Sequence, residues 1–297
     1  MTDAAATHTQ PVWRGLDRAA LDRAYDARGT VADYDAEAAA YDRASAAAIA
    51  SLERRADIVF DPASGSALDL YPAGPGAPVF LWVHGGYWRA LSKDQNAFVA
   101  PALVAAGISV AVIDYTLAPA VTLEEITRQT RAALAFLWHR ADDLGIDRTR
   151  IYIGGSSAGG HLVGMLLAAD GWRAQAGLPE DVIRGAVALS GLYDLQPVRL
   201  CRVNDWLGLD AARAHALSPL HAIPSRSAEA CPLITSYGGS ETAEFKRQTD
   251  DYRAAWQSFG HPATHIPMDA CNHFDIARRI GEPGNPLSDA VIRLVGS

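Results

Sequence analysis

Short apolar runs, several rich in β-branched residues, alternate with longer helix-like stretches, and this limits the fold more than any other feature of the chain. The runs lie at 79–83, 108–113, 151–153, 185–189, 233–237 and 264–268. Stretches 92–106, 122–143, 158–169 and 243–259 read as helices, and 286–295 adds a last one. Strands joined through helices of this length form βαβ units and a parallel sheet covered on both faces. Two further runs, 56–60 and 67–71, flank a Pro/Gly/Ser turn and are predicted as an antiparallel pair at one edge.

The 297 residues are compatible with one large α/β domain. Residues 1–15 are expected to be a loose polar tail. Residues 16–55, rich in Ala, Asp, Glu and Arg, are predicted helical with a break near Gly29-Thr30. The chain therefore divides into an N-terminal tail and helical cap, 1–55, and a main domain, 56–297. Within the latter, 191–230 is too long for a plain connection. It follows the sixth strand, where ligands of parallel sheets gather at carboxyl ends, and is expected to form a lid or pocket wall.

A formal net charge of −8 and the lack of a Lys/Arg cluster argue against nucleic-acid binding. The three cysteines are far apart, without metal-ligand or disulfide-scaffold spacing. No signal-peptide pattern or membrane-spanning apolar run is visible, so a soluble cytoplasmic protein without membrane contact is expected.

The chemistry centres on Gly155-Ser156-Ser157-Ala158-Gly159, which follows the run 151–153 and leads into an apolar helical stretch. Gly-x-Ser-x-Gly at a strand-to-helix turn lifts a serine hydroxyl clear of the sheet, and the small neighbours let backbones pass. Only Ser157 has glycine at both i−2 and i+2, which makes it the candidate nucleophile over Ser156. After the run 79–83 comes His84-Gly85-Gly86-Tyr87-Trp88. Its glycines allow backbone N–H groups to approach a substrate oxygen. Gly86 and Tyr87, with Ala158, are the expected oxyanion donors, and His84 is expected to be structural.

A base should lie downstream, past the last strand. His273 in Asn272-His273-Phe274-Asp275 fits, whereas His161, His261 and His265 read as packing residues. The acid should follow the penultimate strand. Glu241 is well placed there, Asp194 is its competitor after the preceding strand, and Asp250 and Asp251 fall mid-helix.

These motifs resemble the α/β-hydrolase superfamily, and within it the kynurenine formamidase (arylformamidase) and bacterial esterase branch. His84-Gly85-Gly86-Tyr87-Trp88 is similar to that branch's HGGxW motif, and Asp114-Tyr115-Thr116-Leu117-Ala118-Pro119 to the DYRLAP segment of hormone-sensitive-lipase-like esterases. Gly191-Leu192-Tyr193-Asp194-Leu195 and Glu241-Thr242-Ala243-Glu244-Phe245-Lys246-Arg247-Gln248 also fit. The likeness runs from about residue 55 to the end, more weakly over the cap. It implies the α/β-hydrolase fold, with Glu241 aligned to the family's acid and His273 to its histidine. Two departures stand out: Ser156 where formamidases more often carry His, and Glu in place of Asp.

The expected reaction is acyl transfer to water through an acyl-enzyme, with no metal or organic cofactor. The substrate is expected to be a small molecule with an aromatic leaving group, with Tyr87 and Trp88 as substrate-binding residues. Tyr25, Tyr34, Tyr193 and Trp206 are expected to narrow the pocket. Arylformamidase and short-chain carboxylesterase activities both remain open here, with a non-catalytic binding protein as the remote third reading. Whether the chain forms a homodimer is also open.

Overall fold

The computed structural model describes residues 10–225 and 231–296. An eight-stranded sheet forms its centre: β1 (Arg55–Asp61), β2 (Ser66–Tyr71), β3 (Ala77–Val83), β4 (Ser109–Ile113), β5 (Ile146–Ser156), β6 (Ile183–Leu189), β7 (Leu233–Ser236) and β8 (Ala263–His265). The spatial order is β1-β2-β4-β3-β5-β6-β7-β8. β2 runs antiparallel to both β1 and β4, and all other pairs are parallel, as the alternation predicts. β3 lies between β4 and β5 and is buried from Pro78 to Val83, which accounts for its near-continuous apolar sequence.

The longer helices are α1 (Arg18–Ala24), α2 (Tyr34–Ser51), α3 (Ala100–Ala105), α4 (Leu123–His139), α5 (Ala158–Leu167), α6 (Ala211–Ala216), α7 (Ala243–Ser258) and α8 (Pro286–Gly296). The predicted helix 92–106 is instead a 3₁₀ turn, Asp94–Val99, followed by α3, with Pro101 in the first turn of α3 where a missing N–H is harmless. The last strand is shorter than its predicted 264–268. The chain leaves it at His265, and Met268 makes only an isolated bridge to Gly238.

The cap breaks where Gly29-Thr30 marks a break. Asp17 caps α1 by accepting from Ala20 N–H at 2.7 Å, and Asp33 caps α2 by accepting from Ala36 N–H at 3.0 Å. α2 buries Tyr41 edge-on against Phe98, and the Tyr41 hydroxyl donates to the Phe274 carbonyl at 2.8 Å. α1 docks on α7. The Tyr25 hydroxyl donates to Glu244 Oε2 at 2.9 Å, and Thr242 donates to the Ala24 carbonyl at 2.6 Å. Of the expected loose tail, residues 1–9 lie outside the described residues, while Trp13 forms a bridge to Leu16. The 191–230 insertion holds short helical turns and α6, and its residues 226–230 lie outside the described residues.

Candidate active site

β5 ends at Ser156 and α5 starts at Ala158, so Ser157 alone forms the turn between them. Its φ of +58° and ψ of −118° are strained for a side chain with a Cβ, and such strain gathers at functional positions. The turn stays sharp because the flanking glycines touch backbone. A Cβ on Gly155 would sit 2.5 Å from the Gly159 carbonyl oxygen, and one on Gly159 only 2.0 Å from that of Val83. The Ser157 N–H donates to the Leu189 carbonyl at 2.8 Å, which ties the turn to the end of β6. Ser156 is still part of β5, paired with Leu189.

The loop after β3 passes directly over this turn. Gly86, Tyr87 and Trp88 have φ values of +92°, +50° and +59°, three successive left-handed residues that reverse the chain. A Cβ on Gly85 would meet the Ser156 carbonyl oxygen at 2.8 Å. Among the described residues, no acceptor pairs with the N–H of Gly86 or Tyr87, and Ala158, at the start of α5, has no acceptor within its own helix. The Asp114–Pro119 motif supports this loop from beneath. The Tyr115 hydroxyl lies 3.1 Å from the His84 carbonyl and 3.2 Å from that of Gly85, and its ring stacks on His84. Ala118 N–H donates to the Trp88 carbonyl at 2.8 Å.

The candidate acid and base sit on the neighbouring loops after β7 and β8. Glu241 is 5% exposed and His273 is 5% exposed. His273 Nδ1 donates to Glu241 Oε2 at 2.8 Å, which leaves Nε2 as the basic nitrogen. Oε1 of Glu241 accepts from the Ser190 hydroxyl and from Gly238 N–H, both at 2.6 Å. The loops approach closely because Gly238 and Gly239 have no Cβ. A Cβ on Gly238 would meet the Cys271 and Asn272 carbonyl oxygens at 2.6 and 2.7 Å. Asp194, the competing acid, instead accepts from Gln196 N–H at 2.9 Å in its own turn. Asp250 pairs with Arg253, and Asp251 with Arg247.

Ser157 and His273 both line a cavity of about 610 Å³. The cap forms much of its wall through Tyr25, Arg28, Tyr34 and Tyr41, and the insertion adds Arg202, Val203 and Trp206. Tyr87 lines the cavity, its hydroxyl tied to the Tyr25 carbonyl at 2.6 Å. Trp88 does not. Its indole is 0% exposed and packs edge-on against His161, so the substrate-binding role expected for it is corrected to packing beneath the loop. Tyr193 is likewise buried, stacked on Tyr252 with ring centroids 4.1 Å apart. Phe274, Arg28, Arg89 and Ser190 were not picked out from sequence. For Ser190 a signal existed, since it stands one residue past the predicted strand 185–189 and before Gly191.

The other described histidines of the core serve packing. Burial pushes His84 and His161 down to about 4, so both are neutral near pH 7. His161 Nε2 bonds the Leu217 carbonyl at 2.8 Å, and His261 bonds that of Pro224 at 2.9 Å. Among the described residues, no group of three His, Cys, Asp or Glu could hold a metal ion, and no helix is long and apolar enough to cross a membrane.

Sheet order, elbow and loop arrangement place the chain in the α/β-hydrolase superfamily, to which it belongs. Residues 68–195 match the family model BD-FAE. Within that superfamily the chain is similar to the kynurenine formamidase of Danio rerio, at 29% identity over 81% of each chain, and to that of Drosophila melanogaster, at 26% over 67% of each. Esterase LipC of Mycobacterium tuberculosis is 35% identical over 39% of this chain and 30% of its own. A solved structure of a putative thioesterase from Silicibacter sp. matches with a TM-score of 0.78 and 27% identity, covering 93% of this chain and 99% of that one. The carboxylesterase EstE1 shares the fold, with a TM-score of 0.68 at 18% identity, over 89% of this chain and 96% of that one.

Proposed function

We propose that this hydrolase cleaves a small acyl group from an aromatic amine through an acyl-enzyme, in the manner of an arylformamidase acting on N-formylkynurenine-type substrates. The observation that carries the reading is the buried Glu241–His273 hydrogen bond beside a cavity that Ser157 also lines. His273 Nε2 takes the proton of the Ser157 hydroxyl as its oxygen attacks the acyl carbonyl, and the imidazolium forms opposite the Glu241 carboxylate. The N–H groups of Gly86, Tyr87 and Ala158 hold the tetrahedral oxyanion, each worth about 3 kcal/mol. His273 returns the proton to the departing amine. Water then adds to the acyl carbon as His273 takes its proton, the bond from the acyl carbon to the Ser157 oxygen breaks, and His273 returns the proton to that oxygen as the acid leaves.

Two features of the cavity favour an aryl substrate carrying a negative group. Tyr25, Tyr34, Tyr87, Trp206 and Phe274 supply aromatic walls. The Arg28 guanidinium lies 4.1 Å from the Tyr34 ring centroid and that of Arg89 lies 4.3 Å from the Trp206 centroid. Neither has a carboxylate partner among the described residues. Such a pair suits the carboxylate of an amino-acid side arm better than a neutral alkyl ester.

A second reading is a short-chain carboxylesterase with the same machinery, favoured by the 35% identity to esterase LipC over part of the chain. Purified protein should be assayed with N-formylkynurenine and with 4-nitrophenyl acetate. Formamide turnover that vanishes in Ser157→Ala and largely survives in Ser156→Ala is the expected result. Fast ester turnover with negligible formamide turnover would leave only the second reading. Turnover of neither substrate, together with no labelling of Ser157 by an active-site phosphonate, would remove both.

A further inference from the structure

Beyond the proposed nucleophile, base and acid, one buried hydroxyl touches the acid. Ser190 directly follows β6, is 0% exposed and has a φ of +48°, a left-handed conformation that glycine adopts more readily. Its backbone is fixed across the sheet, since its N–H donates to the Ser236 carbonyl at 2.9 Å. The residue before it, Leu189, holds the Ser157 N–H through its carbonyl at 2.8 Å. The turn at Ser157 and Ser190 are therefore both held at the end of β6.

The contacts of Glu241 divide cleanly between its two oxygens. Oε1 accepts from Ser190 and Gly238 N–H, both at 2.6 Å, and Oε2 accepts from His273 Nδ1 at 2.8 Å. A glutamate has one more rotatable bond than an aspartate, so this acid needs more restraint to keep one oxygen on the imidazole. Gly238 lies three residues from Glu241 in the same loop, whereas Ser190 grips the carboxylate from another strand. Ser190 is the side chain that anchors the acid to the sheet carrying the nucleophile.

We propose that Ser190 is a positioning residue of this site, turning Oε2 of Glu241 towards His273 and, by drawing charge to Oε1, setting how readily His273 takes a proton. The proposal rests on the serine-hydrolase reading above. Of the other charges around His273, Arg28 and Arg89 line the same cavity without a carboxylate partner among the described residues, and the rest are paired. On α2, Glu37 meets Arg278 at 3.2 Å and also accepts from Asn272. Asp275 meets Arg279, Glu244 on α7 meets Arg247, and Asp26 on the cap meets Arg202. Phe245 and Phe274 cover the ring itself, with centroids 4.4 and 5.5 Å away. Glu241 is thus the group whose charge the imidazole feels most directly.

The sign follows from the chemistry. Removing a donor concentrates charge on the carboxylate, stabilises the imidazolium and moves the His273 midpoint to higher pH. Ser190→Gly suits the left-handed backbone and deletes only the hydroxymethyl group, and Ser190→Ala repeats the deletion with a Cβ retained. Both should show the acid limb of kcat/KM for 4-nitrophenyl acetate raised by roughly 0.5–1 pH unit, and kcat lowered about tenfold, since small misplacements of reacting groups are costly. The imidazole signals of His273, followed by NMR against pH, should move by the same amount. A folded variant whose His273 midpoint and kcat both match the wild type overturns the proposal, as does a fall in kcat without any shift. If the wild type turned over no ester or formamide, the hydrolase reading would fail, yet the NMR titration would still decide whether Ser190 tunes His273.

Discussion

Acidification should destabilise this protein through two histidines that take no part in the proposed chemistry. His84 and His161 are wholly buried, and burial holds each down to about 4, against 6.5 for an unperturbed imidazole. Each has one ring nitrogen on a backbone carbonyl and the other, His84 Nε2 and His161 Nδ1, without a partner. Asp114 Oδ1, at 3.9 Å from His84 Nε2, is too distant for a hydrogen bond. The unfolded chain therefore binds more protons than the folded one between pH 6.5 and 4, and stability falls as pH drops through that window. At about 1.36 kcal/mol per unit, lowering the pH from 7 to 5 costs about 2 kcal/mol for each histidine. About 4 kcal/mol for the pair is a large share of the 5–15 kcal/mol typical of a folded domain. Asp114 works the other way, since burial raises its carboxyl. Urea unfolding followed by circular dichroism at pH 7, 6 and 5 gives the slope, and His161→Gln should remove about 2 kcal/mol of it. An unchanged slope in that variant, or a wild-type stability flat from pH 7 to 5, would refute the reasoning.

Two further perturbations test the packing that forms the site. Gly159→Ala places a methyl 2.0 Å from the Val83 carbonyl oxygen and should cost about 3 kcal/mol in chemical denaturation, with turnover lost even in the folded fraction. Wild-type-like stability there would mean that the elbow and the end of β3 are less tightly apposed. Tyr25→Phe removes the hydroxyl that donates to Glu244 at 2.9 Å and accepts from Gln248 at 3.0 Å, a loss of about 1–2 kcal/mol. It should loosen the cap and raise KM more than it lowers kcat, which steady-state kinetics would read directly.

The sheet was legible because its strands announce themselves by composition. Val79–Val83 and Ile151–Ile153 are apolar on both faces, as central parallel strands must be. The elbow was legible because two glycines are demanded by backbone contacts under 3 Å. The acid was not fixed by local pattern, since Glu241 and Asp194 both follow strand ends. What separates them is a cross-chain contact: the glycine pair 238–239 lets the Glu241 loop run against the His273 loop, while Asp194 turns back on Gln196. Trp88 misled for a similar reason. An aromatic beside an oxyanion loop reads as a substrate platform, but successive left-handed residues at 86–88 turn its indole inward onto His161.

The division between chain segments bears on how such a site changes its substrate. The proposed nucleophile, base, acid and oxyanion loop all stand at the carboxyl ends of the parallel strands β3, β5, β7 and β8, which share one buried sheet. The aromatic and cationic wall comes largely from the cap, through Tyr25, Arg28 and Tyr34, and from Trp206 of the insertion. The cap is attached at many points, among them Tyr25 to Glu244, Thr242 to Ala24, Tyr41 to Phe274, Glu37 to Arg278 and Asp26 to Arg202. Substitutions at wall positions such as Arg28, Tyr34 or Trp206, which bond neither Glu241 nor His273, can therefore reshape what the cavity admits without removing a contact of that pair.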